Sequence, residues 1–169
     1  MPGLRVTASM LLLMVPAAVA AAPVAATRDA AGQARVLSSL SVLNNTGLDF
    51  GKLVAAGAGT AIVDPVSGSV TTTGAVTPSG NGAHPATFTG TGSRNSVVLI
   101  RLPKNPITLT RVGGTETMTV SNWTLDGSTN RKIPANDVFD FSVGGTLNVA
   151  AGQVDGTYAG TFAVTVQYP

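Results

Sequence analysis

The sequence contains no cysteine, which excludes a disulfide framework and any thiolate metal site. Aromatic residues make up 5% of the chain and charged residues 11%. With so few charges, no Lys/Arg stripe with interleaved aromatics can form, and a nucleic-acid partner is not expected, since phosphate binding needs several clustered cations. The net charge of +2 and the pI near 9.4 reflect how few ionisable groups there are. Removing residues 1–26 would take Arg5 away and leave nine basic groups against eight acidic ones. There is one histidine, His84, in a Gly/Pro loop, so no second imidazole can share a metal with it.

Catalytic patterns are missing too. There is no G-x-S-x-G elbow, no P-loop and no G-x-G-x-x-G; Gly90-Thr91-Gly92 comes nearest, but Asn95 stands where the third glycine would be. Asp137 and Asp140 are three apart, which on a strand puts them on opposite faces and makes them a poor acid/base pair. Asp126, Asn130 and Asp137 share one polar stretch at a spacing that fits no standard calcium loop. The expectation is a protein with no enzymatic role, no cofactor and no metal. Trp123 is expected in the core rather than as a sugar platform.

Apolar residues are plentiful at 44%, and 20 Gly and 10 Pro punctuate the chain. Thr and Val dominate the second half, and their β-branched side chains suit strands better than helices. Residues 1–26 read as a secretory signal. Arg5 supplies the basic start, Val6 to Ala20 the apolar stretch, and Ala18-Val19-Ala20 or Val24-Ala25-Ala26 the small-x-small cleavage site. The stretch is too short for a span of about 20 apolar residues and Pro16 interrupts it, so no membrane span is expected in the mature chain. Residues 27–35 read as a flexible N-terminal extension.

Residues 36–169 read as one β domain with no sustained 3.6-residue apolar stripe. Strand-like runs are expected at 36–43, 48–54, 60–63, 69–73, 86–92, 96–102, 107–112, 116–125, 138–143 and 146–151. The run at 96–102 reads as buried on both faces. Asn44-Asn45-Thr46-Gly47, Asp64 to Gly68, Gly113-Gly114 and Gly144-Gly145 read as turns, and 77–85 and 126–137 as loops. Short strands at this spacing indicate a sandwich or barrel.

The chain ends GTYAGTFAVTVQYP. Tyr158, Gly160, Phe162, Val164, Val166 and Tyr168 fall on one face, and Thr157, Ala159, Thr161, Ala163, Thr165 and Gln167 on the other. On pattern alone this is a terminal strand closing a sandwich. Gly156 is 14th from the end and Tyr168 is penultimate, which resembles the C-terminal signature of chaperone–usher pilin subunits. The stretch VGGTLNVAAGQVDGTYAGTFAVTVQYP, with LDFGKLVAAGAGT near the start, resembles the bacterial domain of unknown function 4402 family, which is similar to the spore coat protein U group of pilin-like proteins.

That resemblance implies an all-β, immunoglobulin-like β-sandwich that is incomplete, with the last strand bordering a vacant groove. It implies a product exported to the periplasm, cell surface or exterior of a Gram-negative bacterium. The implied partners are a periplasmic chaperone, an outer-membrane usher and like subunits. Gly156, Tyr158, Phe162, Val164, Val166 and Tyr168 would then serve subunit or chaperone contact by β-strand addition. From Ala30 one register reads Ala30, Gly32, Ala34, Val36, Ser38, Leu40, Val42, a candidate donor segment, although residues 36–43 also read as the first strand of the fold. The rival expectation is a self-contained secreted sandwich that binds carbohydrate or another surface ligand.

Overall fold

The computed structural model describes residue 28 and residues 30–169; the expected signal at 1–26 lies outside them. The chain divides into two compact units, residues 1–35 and residues 36–169. In the first, residues 28 and 30–35 are exposed and form no regular structure. The second is all-β and antiparallel, a β-sandwich-like fold.

In chain order the strands are β1 (Ser41–Thr46), β2 (Leu53–Val63), β3 (Val70–Pro78), β4 (Ala86–Thr91), β5 (Val97–Arg101) and β6 (Ile107–Arg111), then β7 (Thr117–Leu125), β8 (Asn130–Lys132), β9 (Val138–Val149), β10 (Tyr158–Ala159) and β11 (Thr165–Gln167). An eight-stranded sheet runs β1-β4-β9-β7-β6-β10, with β2 also on β9 and β3 on β2. A three-stranded sheet runs β11-β5-β8. The first half of β9 pairs with β4 and its second half with β2, so β9 is the strand on which the large sheet turns.

Two apolar clusters follow from this bend. The first lies between the sheets: Phe88 from β4, Val98 and Ile100 from β5, Ile133, and Phe139 and Phe141 from β9. Its rings stack, Phe88 on Phe141 at 5.0 Å and Phe139 near Phe141 at 6.2 Å. The second lies where the large sheet curls on itself and joins Phe50, Ala61, Val63, Val76, Val120, Leu147 and Val149. Trp123 packs against both and donates from its indole nitrogen to the carbonyl of Asn105 at 3.4 Å. Asp126 and Arg131 form a half-buried ion pair at 2.8 Å, and Arg131 also donates to the carbonyl of Asp140 at 2.6 Å, tying the two sheets together.

Most expected strands are present, with departures at several places. Asn44-Asn45-Thr46 is strand, not turn: the Asn44 amide donates to the carbonyls of Thr46 and Thr87, and the Asn45 amide donates to the Thr89 hydroxyl, holding β1 on β4. The run at 96–102 is buried on one face only, with Val98 and Ile100 inside and Val97 42% exposed. The 126–137 loop contains β8 and the fully buried Ile133. Gly144-Gly145 makes no turn; β9 passes straight through both.

The β2–β3 hairpin is closed as its sequence predicts. The Asp64 carboxylate accepts from the Val66 and Ser67 main-chain N–H groups and from the Ser67 hydroxyl, at 2.9, 2.7 and 2.9 Å. These bonds, led by the Ser67 N–H, hold the Asp64 carboxyl below its ordinary value. A lowered folded-state pKa stabilises above the unfolded value and the benefit is lost as pH falls through the folded one. Acidification below about pH 4 should therefore loosen this turn. Faster amide exchange at Val66 and Ser67 in acid, relative to the rest of the sheet after correction for intrinsic rates, checks it, and an Asp64→Asn chain should lack that pH dependence.

Candidate functional site

The C-terminal ribbon is not one strand. It begins on one sheet and ends on the other. Gly156 has φ +151, and a Cβ there would lie 2.6 Å from the Arg111 Nε. That nitrogen is held in place by donating to the Asp155 carbonyl at 2.8 Å. Tyr158 and Ala159 then pair with Arg111 and Thr110 of β6. The Tyr158 hydroxyl donates to the Val154 carbonyl at 2.6 Å and accepts from the Gln153 amide at 2.7 Å. Gly156 and Tyr158, with Leu53, Met118 and Val149, line a shallow recess of about 240 Å³.

Beyond Gly160 the chain leaves this sheet. Residues 161–164 pair with no strand among the described residues. Phe162 is half-buried, its ring 4.6 Å from Trp123 and 6.4 Å from Phe88 in an edge-on approach. The ribbon then joins the second sheet, where Thr165, Val166 and Gln167 pair with Arg101, Ile100 and Leu99 of β5. Val164, Val166 and Tyr168 pack against the first core cluster and are half-buried, while Thr161, Ala163 and Thr165 are exposed. The period-2 pattern thus does set an inward face, but the strand carrying it is the edge of its sheet.

Tyr168 fixes this edge. Its hydroxyl donates to the Ser38 carbonyl at 2.9 Å and accepts from the Ser93 N–H at 2.8 Å. The Ser38 N–H in turn donates to the Ser93 hydroxyl. The cluster is tight: a Cβ on Gly92 would meet Ile133, Leu40 and the Tyr168 oxygen, each at 2.8 Å. It ties the end of the chain to the segment that enters β1, which is exposed at all six residues, with Val42 38% and Leu43 65% exposed. A Tyr168→Phe chain should fold and lose about 1 kcal/mol, the ordinary worth of a hydrogen bond. Denaturant midpoints compare it with the parent.

Of the six residues named from sequence, Phe162, Val164, Val166 and Tyr168 share the inter-sheet core, while Gly156 and Tyr158 stand at β6. Ser38, Ser93 and Trp123 also build the site and were not singled out for it. Ser38 and Tyr168 are 130 positions apart, and no local pattern announces such a contact.

The polar groups weighed earlier are otherwise engaged. Asp137 pairs with Arg94 at 3.0 Å, Asp126 with Arg131, and the Asp140 carboxylate accepts from Thr89 at 2.6 Å. His84 is exposed and bridges to Asp49 through the main chain. Among the described residues no three His, Asp or Glu side chains converge as a metal site. Among known proteins, a family model described as a domain of unknown function (DUF4402) matches residues 40–168. No curated protein and no solved structure matches the chain.

Proposed function

Since the chain belongs to the domain of unknown function (DUF4402) family, whose description leaves its role open, we propose from the edge geometry that it is an exported structural subunit of a surface fibre, assembled by β-strand addition. One observation carries this reading: among the described residues β11 ends the small sheet with no partner on its outer side, above a row of apolar side chains that its own domain covers only by half. Phe162, Val164, Val166 and Tyr168 are each worth roughly 1.5–3 kcal/mol when buried completely. The unrealised part of that burial is a sizeable share of the about 5–15 kcal/mol that holds a domain folded. A strand laid along β11 gains main-chain hydrogen bonds on the open edge and fills the gaps between these side chains.

The likeness of the ending to pilin subunits supports the same reading and supplies the partners. A periplasmic chaperone holds the edge first, an outer-membrane usher receives the subunit, and a segment of the next subunit replaces the chaperone. In this scheme the sandwich is an immunoglobulin-like one lacking a strand. Ser38 and Leu40 are engaged by Tyr168 and the core, and Ser41–Leu43 belong to β1. The donor is therefore the stretch before Ser38, in which Val36 is 94% exposed.

The test is to produce the exported chain with and without a pilus-type periplasmic chaperone. The expected result is that soluble protein accumulates only with the chaperone, co-purifies with it, and forms polymers when it is displaced. A stable, non-polymerising monomer made equally well in both cases would favour a self-contained secreted binding module instead.

A further inference from the structure

A second edge of the molecule is open, and it is less defended than β11. β3 pairs only with β2, and no described residue pairs with its other side along Val70–Pro78. Its sequence, VTTTGAVTP, carries no charge, and Asp64 at the turn is the only charged residue anywhere in residues 53–78. Proteins usually blunt such an edge with Lys, Pro, a bulge or a covering segment. Here the proline is the last residue, and the irregularity in the pairing falls in β2 between Ala55 and Gly59. Gly74 has φ +69, and from Val70 to Gly74 the pairing with β2 is unbroken.

Thr71 and Thr73 are exposed and lie opposite Ile62 and Thr60, with the Thr73 and Thr60 hydroxyls 2.7 Å apart. The Thr73 row continues through Asn148 to Thr119 and Thr108, so it crosses five strands without a charge.

We infer that the occupant of this edge is the same edge of a second copy, paired antiparallel about Thr72. Two-fold pairing about Thr72 sets Thr71 of each copy opposite Thr73 of the other, a pair of the kind that stabilises neighbouring strands. In a self-complementary contact, charges near the axis approach their own images, and this edge has none to repel. An uncharged edge also gives a partner of opposite charge nothing to recognise. Pairing of about five residues falls short of the roughly 1,200 Å² that a stable interface buries, so the contact between single molecules is weak. Held in register by a larger assembly, many such contacts would add. The inference does not depend on the β11 edge, which belongs to the other sheet.

The absence of cysteine makes the test direct. In this pairing residue 72 faces its own copy, with Cα atoms about 4.5–5.5 Å apart, inside the range a disulfide spans. A Thr72→Cys chain at high concentration under mild oxidation should form a covalent dimer at least tenfold faster than Val66→Cys or Val112→Cys, both of which are exposed. Adding Thr71→Lys and Thr73→Lys to the Thr72→Cys chain should bring its rate down to that of the controls, with the melting temperature of each chain checked against the parent. Without any cysteine, the Thr71→Lys/Thr73→Lys chain should also scatter less light at high concentration than the parent. Equal cross-linking rates for residues 72, 66 and 112, or a rate that the two lysines leave unchanged, would overturn the inference.

Discussion

A Gly144→Ala chain should melt roughly 10 °C below the parent, while Gly47→Ala melts within a degree or two of it. The contrast comes from what each added methyl would meet. At Gly47 a Cβ has nothing within 4 Å. At Gly144 it would press onto the main-chain oxygen of Val63, with the Thr124 hydroxyl 2.8 Å away and a Pro65 ring carbon at 3.0 Å. A flexible side chain could swing aside, but a strand's carbonyl cannot move without its neighbours. Gly144 lies opposite Thr124 of β7, and the next residue, Gly145, lies opposite Val63 of β2. The added methyl must therefore prise apart the place where β2, β7 and β9 meet. Overpacking of this kind costs about 3 kcal/mol at its upper end. Thermal melts of the two variants decide the matter, and equal melting temperatures would mean that β9 does not cross so closely under β2.

The same position shows how far the sequence could be read. Two glycines between alternating runs look like a hairpin turn, since glycine is the usual turn residue. Glycine also appears in a strand where another backbone comes too close for a side chain. The choice depends on Val63, 81 positions earlier, which nothing near Gly144 reveals. Where the cause is local, expectation and structure agree, as at the Asp64 to Gly68 turn and in the core position of Trp123. Asn44-Asn45 is strand where a turn is expected because both amides also reach across to β4, at the Thr87 carbonyl and the Thr89 hydroxyl. The ending was legible in its faces but not in its path. The alternation of Phe162, Val164, Val166 and Tyr168 gave the inward side correctly, whereas the transfer from β6 to β5 is set by sheet edges far away in the chain.

The largest functional effect is expected from carboxylates on the inward face of that ending. A chain with Val164→Asp and Val166→Asp should lose capture by a chaperone, or by a donor strand, by about 100-fold or more. Each valine is already half-buried, so an incoming strand that completes its burial adds roughly half of the about 1.5–3 kcal/mol for full burial, on the order of 0.75–1.5 kcal/mol. Two such losses make about 1.5–3 kcal/mol, and each 1.4 kcal/mol is a factor of ten. A carboxylate enclosed there without a partner adds a further penalty. The same charge on the other side of the strand provides the control. Thr165 is exposed and lies opposite Arg101, also exposed, so Thr165→Asp leaves the row under the edge intact and places its charge beside a cation. Binding to immobilised chaperone, measured on chains whose β-sheet circular dichroism matches the parent, separates lost recognition from lost folding. If the double aspartate chain is captured as well as the parent, or if Thr165→Asp fails equally, the half-covered row beneath β11 is not what a partner strand reads. The open edge would then be only the rim of a finished sandwich.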